Sequence, residues 1–213
     1  MARLRYPTGV RPLLIEETAR RRRVETRIVS ILEREGFAEV VVPIIDYEEP
    51  YVSAAHIDRR QTYRFVDRDG DLVAIRSDFT PMVARSIAPE IGRVALPLRV
   101  FYRGDVVRLD PPRLGRQREM FQIGAEIVGD GSPAADEALL AVATETVRAL
   151  GIEPMVVRGE SRDGYYTGFC FHLYDSASRG VPVARGGRYD SLYERFGGAA
   201  PAVGFTLTID DPR

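Results

Sequence analysis

The chain has 213 residues, of which 45% are hydrophobic and 29% charged, and its 30 basic and 31 acidic residues nearly cancel. These values are typical of a globular chain with one sizeable core and not of a disordered chain, and they give no overall electrostatic case for a nucleic-acid binder. One cysteine and two histidines without ligand-spaced partners, His56 and His172, predict neither a disulfide framework nor a metal site.

No apolar run is long enough to cross a membrane, and the basic N-terminal residues are not followed by the apolar segment of a secretory signal. The sequence therefore predicts a soluble, cytoplasmic protein. Because no repeat or linker interrupts it, 1–213 is expected to form a single domain.

The first predicted element is a helix over 18–35, where apolar residues recur on one face and Gly36 ends the pattern. Its arginine run, 20–23, allows two interpretations, a nucleic-acid patch or a solvated helix face. The neighbouring glutamates can pair with these arginines along the helix and favour the second.

A β-branched run at 39–45 predicts a strand, placed at a sheet edge or strand end because it contains Pro43. The runs 63–66 and 72–75 flank turn residues around Asp69 and Gly70, and predict a hairpin. Pro81 then suits the first turn of a short helix that reaches about Ala88.

The second half of the chain predicts an antiparallel sheet with one long loop, a capped helix and a final strand. Ser132 and Pro133 begin the helix and Gly151 ends it. The predicted strands are 98–102, 105–109, 120–128 and 202–208, with a short helix at 190–196. Helices and strands mix without a regular βαβ rhythm, so the predicted class is α+β.

Arginines concentrate around the long loop of this sheet. They are Arg103, Arg113, Arg116 and Arg118. Because guanidinium groups bind phosphates and carboxylates in planar, bidentate geometry, the last three predict an anion-binding cradle. Gln122 and Glu126 lie four residues apart on the next strand, so both point to the same face.

The segment 101–126, with its Gln-x-Gly-x-Glu sequence, resembles motif 2 of the histidyl-tRNA synthetase family. Other segments are similar to that family in the same order: 75–80 to its substrate-amine segment, 164–168 to its tyrosine motif, 185–190 to its glycine-rich motif, 42–43 to its motif 1 and 201–205 to its motif 3. The resemblance covers nearly the whole chain. It implies a class II aminoacyl-tRNA synthetase-like catalytic core, an antiparallel sheet flanked by helices.

The resemblance also implies a histidine-binding site. Its residues would be Asp78, Thr80, Arg103, Gln122, Glu126, Tyr165 and Tyr166. Asp78, Thr80 and Gln122 would bind the amino group and Arg103 the carboxylate, while Glu126 and Tyr166 would read the two nitrogens of the imidazole. The alternative is that Gln122 and Glu126 only pair with each other across the sheet.

The nucleotide half of the family pattern differs in this chain. Asp105 stands where motif 2 has a glutamate, Ser161 where the family has a catalytic arginine, and Asp211 where motif 3 ends in arginine. A shorter carboxylate and an acid that repels triphosphate predict the loss of adenylate formation, so the chain is not expected to be an enzyme. Without an anticodon-binding domain or the usual insertion before Tyr165, transfer RNA is not an expected partner.

An amino-acid pocket without adenylation implies a histidine sensor, and the paralogous family of that kind is the ATP phosphoribosyltransferase regulatory subunit. The resemblance implies that the chain joins a short-form catalytic subunit in the first step of histidine biosynthesis, activates it, and mediates allosteric feedback by L-histidine. A homodimer around 40–45, within a hetero-oligomer, is expected, with no cofactor. Two alternatives stay open: a minimal synthetase-like enzyme or amino-acid ligase that forms an aminoacyl-adenylate, and a structural partner with a degenerate pocket.

Overall fold

The computed structural model describes residues 6–55, 59–109, 117–161, 164–177 and 180–209. The helices in these ranges are α1 Ile15–Arg34, α2 Glu48–Ala55, α3 Thr80–Ile87 and α4 Pro133–Arg148. The strands are β1 Ala38–Glu39, β2 Ile45–Tyr47, β3 Arg64–Val66, β4 Leu72–Ile75, β5 Leu98–Val107, β6 Glu119–Val128, β7 Pro154–Ser161, β8 Gly168–Asp175, β9 Ala184–Arg188 and β10 Ala202–Thr208.

Seven strands form the main sheet in the order β1-β5-β6-β10-β9-β8-β7, in which every neighbouring pair is antiparallel except β1 and β5. A small second sheet has the order β2-β4-β3. The predicted α+β class, an antiparallel sheet flanked by helices, is confirmed.

The two faces of the main sheet are covered differently. On one face, odd-numbered residues of β6 such as Ile123 and Ile127 join the core formed with α1 and α4. The other face carries the alternate residues of β6 and is covered by α3 and by the segment around Tyr189 and Tyr193. Strand alternation therefore directs Gln122 and Glu126 away from α1 and α4.

Several predicted boundaries are confirmed. The Ser132 side chain accepts a hydrogen bond from the backbone N–H of Ala135 at the start of α4, with Pro133 in its first turn. The hairpin of β3 and β4 turns at Gly70, whose φ of 92° suits glycine. In the arginine run of α1, Arg22 and Arg23 are exposed as expected, but the guanidinium of Arg21 lies over the ring of Phe121.

Two predicted elements are wrong. The strand over 39–45 is absent, since β1 ends at Glu39 and β2 begins at Ile45. The guanidinium of Arg76 donates hydrogen bonds to the carbonyls of Val42 and Pro43, and Pro43 has no N–H to donate. This segment therefore connects the two sheets without pairing as a strand. The helix predicted at 190–196 is reduced to the 3-10 turn Glu194–Phe196.

Candidate ligand-binding site

A cavity of about 260 Å³ opens on the face of the main sheet opposite α1 and α4. Its size is close to the lower end of small-molecule pockets, roughly 300 to 1,000 Å³. Its lining comes from the start of α3, from β8, β9 and β10, and from the connections before β8 and after β9. The lining residues are Asp78, Thr80, Tyr165, Tyr166, His172, Arg185, Gly186, Tyr189, Gly204, Phe205 and Thr206. Four of the seven residues predicted for histidine binding, Asp78, Thr80, Tyr165 and Tyr166, lie on this wall.

The sheet beneath the cavity is bare at three glycines, and a tyrosine occupies the space that each missing side chain leaves. A Cβ on Gly124 would overlap the hydroxyl of Tyr102, and one on Gly204 would overlap the hydroxyl of Tyr189. A Cβ on Gly187 would lie 2.6 Å from the ring of Tyr166. The glycines therefore let three phenols lie directly on the backbone.

The start of α3 supplies the acidic rim of the cavity. One carboxylate oxygen of Asp78 accepts a hydrogen bond from the backbone N–H of Thr80 at 3.1 Å, and the other is 3.2 Å from the guanidinium of Arg108. The Thr80 and Tyr102 hydroxyls are 3.3 Å apart, and Tyr102 in turn lies 2.9 Å from the hydroxyl of Thr206. Tyr102 thus links the helix to the centre of the sheet.

Glu126 lies behind this wall with no solvent exposure, and Gln122 is almost as deeply buried. The Tyr193 hydroxyl donates a 3.0 Å hydrogen bond to Oε2 of Glu126. Burial raises the pKa of Glu126 to about 8, and the hydrogen bond from Tyr193 opposes that rise. Within the described ranges, Oε1 of Glu126, Oε1 of Gln122 and the hydroxyl of Tyr189 make no hydrogen bond of normal geometry. The hydroxyls of Thr80 and Tyr189 are still close enough to Glu126 to lower its pKa, in opposition to burial. Such buried polar atoms are costly unless a ligand or water satisfies them.

The phenols around the cavity are in contact with one another. The rings of Tyr165 and Tyr166 meet edge-on with centroids 5.1 Å apart, and Tyr165 lies 5.7 Å from Tyr189. Burial raises the pKa of Tyr165, Tyr189 and Tyr193 well above the ordinary value of a phenol. These groups therefore stay neutral and act as hydrogen-bond donors near neutral pH.

Arg103 does not join the cluster, and we remove it from the candidate site. Its guanidinium lies on the α1 face of the sheet, 2.5 Å from Glu25 and 2.7 Å from Glu39. The neighbouring Asp105 lies on the same face, about 4.0 Å from Arg21. The sequence-based assignment of the motif 2 pair to Arg103 and Asp105 is therefore wrong, because these side chains point away from the cavity.

Among the arginines of β5 and the residue directly after it, Arg108 is the one that reaches the cavity side. There it pairs with Asp78 and donates to the carbonyl of Ser77. The same arginine-x-acid spacing recurs at Arg108 and Asp110. Asp110 itself lies outside the described residues. The repeated spacing could have pointed to Arg108, but the sequence does not show which of the two arginines is on the cavity side of the sheet.

The predicted anion cradle is only partly within the described chain. Arg113 and Arg116 lie outside it, as does Asp211, the residue expected to repel triphosphate. Arg118 donates a 3.0 Å hydrogen bond to the hydroxyl of Tyr63 and does not line the cavity.

The sequence does not predict His172, Arg185, Tyr189 or Tyr193 as site residues, although Arg185 and Tyr189 belong to the glycine-rich segment 185–190. Arg185 lines the cavity from β9. Arg188, three residues later, faces α4 instead and contacts Asp136 and Asp190. The segment therefore serves the cavity side and the core side of the sheet in alternation.

No group of three or more histidine, cysteine, aspartate or glutamate side chains in the described ranges could hold a metal ion. Across those same residues, none of the helices has the length and apolarity that a membrane crossing requires.

Solved structures similar to this chain share its fold. A structure titled as an ATP phosphoribosyltransferase regulatory subunit/histidyl-tRNA synthetase from Bacillus halodurans aligns with a TM-score of 0.89 at 20% identity, covering 98% of this chain and 82% of that one. Apo histidyl-tRNA synthetase from S. aureus aligns with a TM-score of 0.82 at 21% identity, covering 97% of this chain and 68% of that one. The class II synthetase-like core is thereby confirmed.

Curated relatives named ATP phosphoribosyltransferase regulatory subunit match most of the chain. The protein from Geobacter metallireducens is 36% identical over 182 residues, which are 84% of this chain and 39% of that protein. The protein from Halothermothrix orenii is 28% identical over 183 residues, 85% of this chain and 44% of that protein. The chain thus spans less than half the length of these relatives. The histidyl-tRNA synthetase family model matches residues 9–159 and 157–211, and the chain therefore belongs to the histidyl-tRNA synthetase family.

Proposed function

We propose that this chain is a non-catalytic regulatory subunit of ATP phosphoribosyltransferase that binds L-histidine in the cavity above Gly204. The observation that carries the proposal is the buried carboxyl of Glu126, which has an unsatisfied oxygen and lies among phenols behind a small cavity with an acidic rim. The names of the similar proteins from Geobacter metallireducens and Halothermothrix orenii support the regulatory role.

The cavity suits the two polar parts of histidine that differ most in chemistry. The ammonium group pairs with Asp78 at the rim, beside the hydroxyl of Thr80. The imidazole ring, which offers a nitrogen at each of two edges, pairs with Glu126 and with the phenol of Tyr166. Gln122 brings a further unsatisfied oxygen to the same side of the sheet.

Feedback requires that histidine bind more tightly to one arrangement of the complex than to another, since equal affinity shifts no equilibrium.

The catalytic partner is a short-form subunit, and the regulatory chain itself pairs as a homodimer. Support for pairing comes from apolar side chains exposed together around the small sheet: Val41, Ile44, Ile45, Tyr47 and Phe65. Apolar side chains exposed at several nearby positions are typical of an interface.

The test is to mix the full chain with a short-form ATP phosphoribosyltransferase and to measure phosphoribosyl transfer with and without L-histidine. The expected result is a higher rate with the chain present and a loss of that increase when histidine is added. A catalytic rate that does not respond to the chain would contradict the regulatory role. Histidine-dependent exchange of pyrophosphate into ATP would instead support an adenylate-forming enzyme.

A further inference from the structure

Asp78 and Arg185, the acidic and basic residues that line the cavity, differ in how their charges are used. Among the described lining residues, Asp78 is the one carboxylate, and Arg108 already neutralises it. Arg185 also lines the cavity; it is exposed and has no carboxylate partner in the part of the chain that the structure describes. An uncompensated guanidinium in a ligand-sized cavity is a site for an anion.

Sheet register fixes the neighbours of Arg185. It lies directly opposite Thr206 of β10 on one side and opposite His172 of β8 on the other. Because residues directly opposite each other in a sheet share a face, these three side chains form a row across the cavity side. All three line the cavity.

The row is close to the acidic rim. The hydroxyl of Tyr102 bridges Thr80 and Thr206 with separations of 3.3 and 2.9 Å, and the strand that carries Arg185 is the next one, at about 4.8 Å. Asp78 and Arg185 both line this cavity of about 260 Å³. A small zwitterion can therefore contact Asp78 and Arg185 together.

We propose that Arg185 binds the α-carboxylate of the amino acid held in this cavity, with the ring N–H of His172 as a second donor. This inference rests on the proposed histidine-binding function and completes it, because Arg103, the arginine expected at the carboxylate, lies on the opposite face of the sheet. Arg108 is a weaker choice, since its charge is engaged by Asp78 and by the carbonyl of Ser77.

The electrostatics around Arg185 and His172 agree with a role in carboxylate binding. Partial burial and the charge of Arg185 both lower the pKa of His172, so its ring is neutral at neutral pH and can donate one N–H. The positive charge of the row then belongs to Arg185 alone among the described residues of the row. A single carboxylate would neutralise it.

The test compares ligands with and without the carboxylate on matched variants. Calorimetry is run at pH 7.5 with L-histidine and with histamine, which has the same ring and amine but no carboxylate. The proteins are the full wild-type chain, Arg185→Gln, Arg185→Lys and Arg158→Gln. Arg158 is the control for loss of an arginine, since it lies on β7, faces α4 and pairs with Glu137.

In Arg185→Gln, L-histidine is expected to bind about 10- to 100-fold more weakly, while histamine keeps its wild-type affinity. Arg185→Lys is expected to recover part of the loss, and Arg158→Gln to bind both ligands as the wild type does. If wild-type protein binds histidine and Arg185→Gln binds it equally well, or if histamine weakens in parallel, the carboxylate assignment is wrong. If wild-type protein binds no histidine, the proposed function fails and the assignment fails with it.

Discussion

Tyr193 donates a 3.0 Å hydrogen bond to Glu126, a carboxyl group that is wholly removed from solvent. Burial raises the pKa of Glu126 to about 8 from an ordinary value of 4.5. Without a ligand, the carboxyl is therefore mostly protonated at neutral pH. Its chemistry can be tested both through stability and through binding.

The raised pKa predicts how stability depends on pH. The stabilisation that Glu126 contributes is fully present below its unfolded-state pKa and is lost as pH rises through 8, because ionisation inside the core is unfavourable. Glu126→Gln cannot ionise, so its free energy of unfolding is expected to exceed that of the wild type increasingly from pH 5 to pH 8.5, by up to roughly 4 kcal/mol. Urea unfolding at several pH values measures this difference. Glu33→Gln, which removes an exposed carboxylate of α1, is the control, and identical pH profiles for wild type and Glu126→Gln would contradict the prediction.

The same substitution is expected to weaken L-histidine binding by about tenfold or more. A bound imidazolium favours the ionised carboxylate and forms a charge-assisted hydrogen bond with it, which glutamine cannot do. Calorimetry with L-histidine measures the loss. Arg103→Gln is the matched control, because it removes a charge on the opposite face of the sheet and should leave the affinity unchanged. Full affinity in Glu126→Gln would remove Glu126 from the site.

The glycine beneath Tyr102 is expected to tolerate no side chain. A Cβ on Gly124 would overlap the Tyr102 hydroxyl and lie 2.6 Å from the carbonyl oxygen of Phe205, which belongs to the backbone and cannot turn aside. Gly124→Ala is therefore expected to lower the free energy of unfolding by about 2 kcal/mol and to break the link from Thr80 to Thr206. Gly180→Ala is the control, since its added Cβ meets no atom within 4 Å. Equal stability of the two variants, measured by urea unfolding, would refute this reading of the sheet face.

Arg188 is expected to act on stability through its contacts with α4. Its guanidinium contacts the carboxylates of Asp136 and Asp190 and donates to the carbonyls of Asp130 and Ser132. Arg188→Ala leaves a partly buried carboxylate unpaired and should cost about 3 kcal/mol of unfolding free energy. Arg188→Lys should recover little of it, because an ammonium group lacks the planar fork. A lysine variant as stable as the wild type would show that charge alone suffices.

Local signals in the sequence were enough to predict element boundaries where turn residues and helix caps determine them. Ser132 with Pro133 predicted the start of α4, and Asp69 with Gly70 predicted the hairpin of β3 and β4. The final strand was predicted with its observed bounds, Ala202–Thr208. The family resemblance added Asp78, Thr80, Tyr165 and Tyr166, which the structure brings together around one cavity.

The sequence of β5 does not predict which of its side chains point to which face of the main sheet. Phe101 and Tyr102 are adjacent and both almost fully buried, because the strand is covered on both faces. Without alternation between apolar and polar residues, the pattern does not show which arginine is on the cavity side of the sheet. The long-range register of β8, β9 and β10, which aligns His172, Arg185 and Thr206, is likewise fixed by tertiary packing and not by local sequence.

The tyrosines that lie on Gly124, Gly187 and Gly204 also determine whether a single mutation can enlarge or narrow the cavity. Shortening a tyrosine on the wall enlarges the cavity by one substitution. Narrowing the cavity from below requires a side chain in a position that a tyrosine already fills, so a glycine and its tyrosine must change together. Single mutations can therefore enlarge the cavity so that it accepts more ligands. Narrowing it at one of these glycines requires that the glycine and its tyrosine be replaced together.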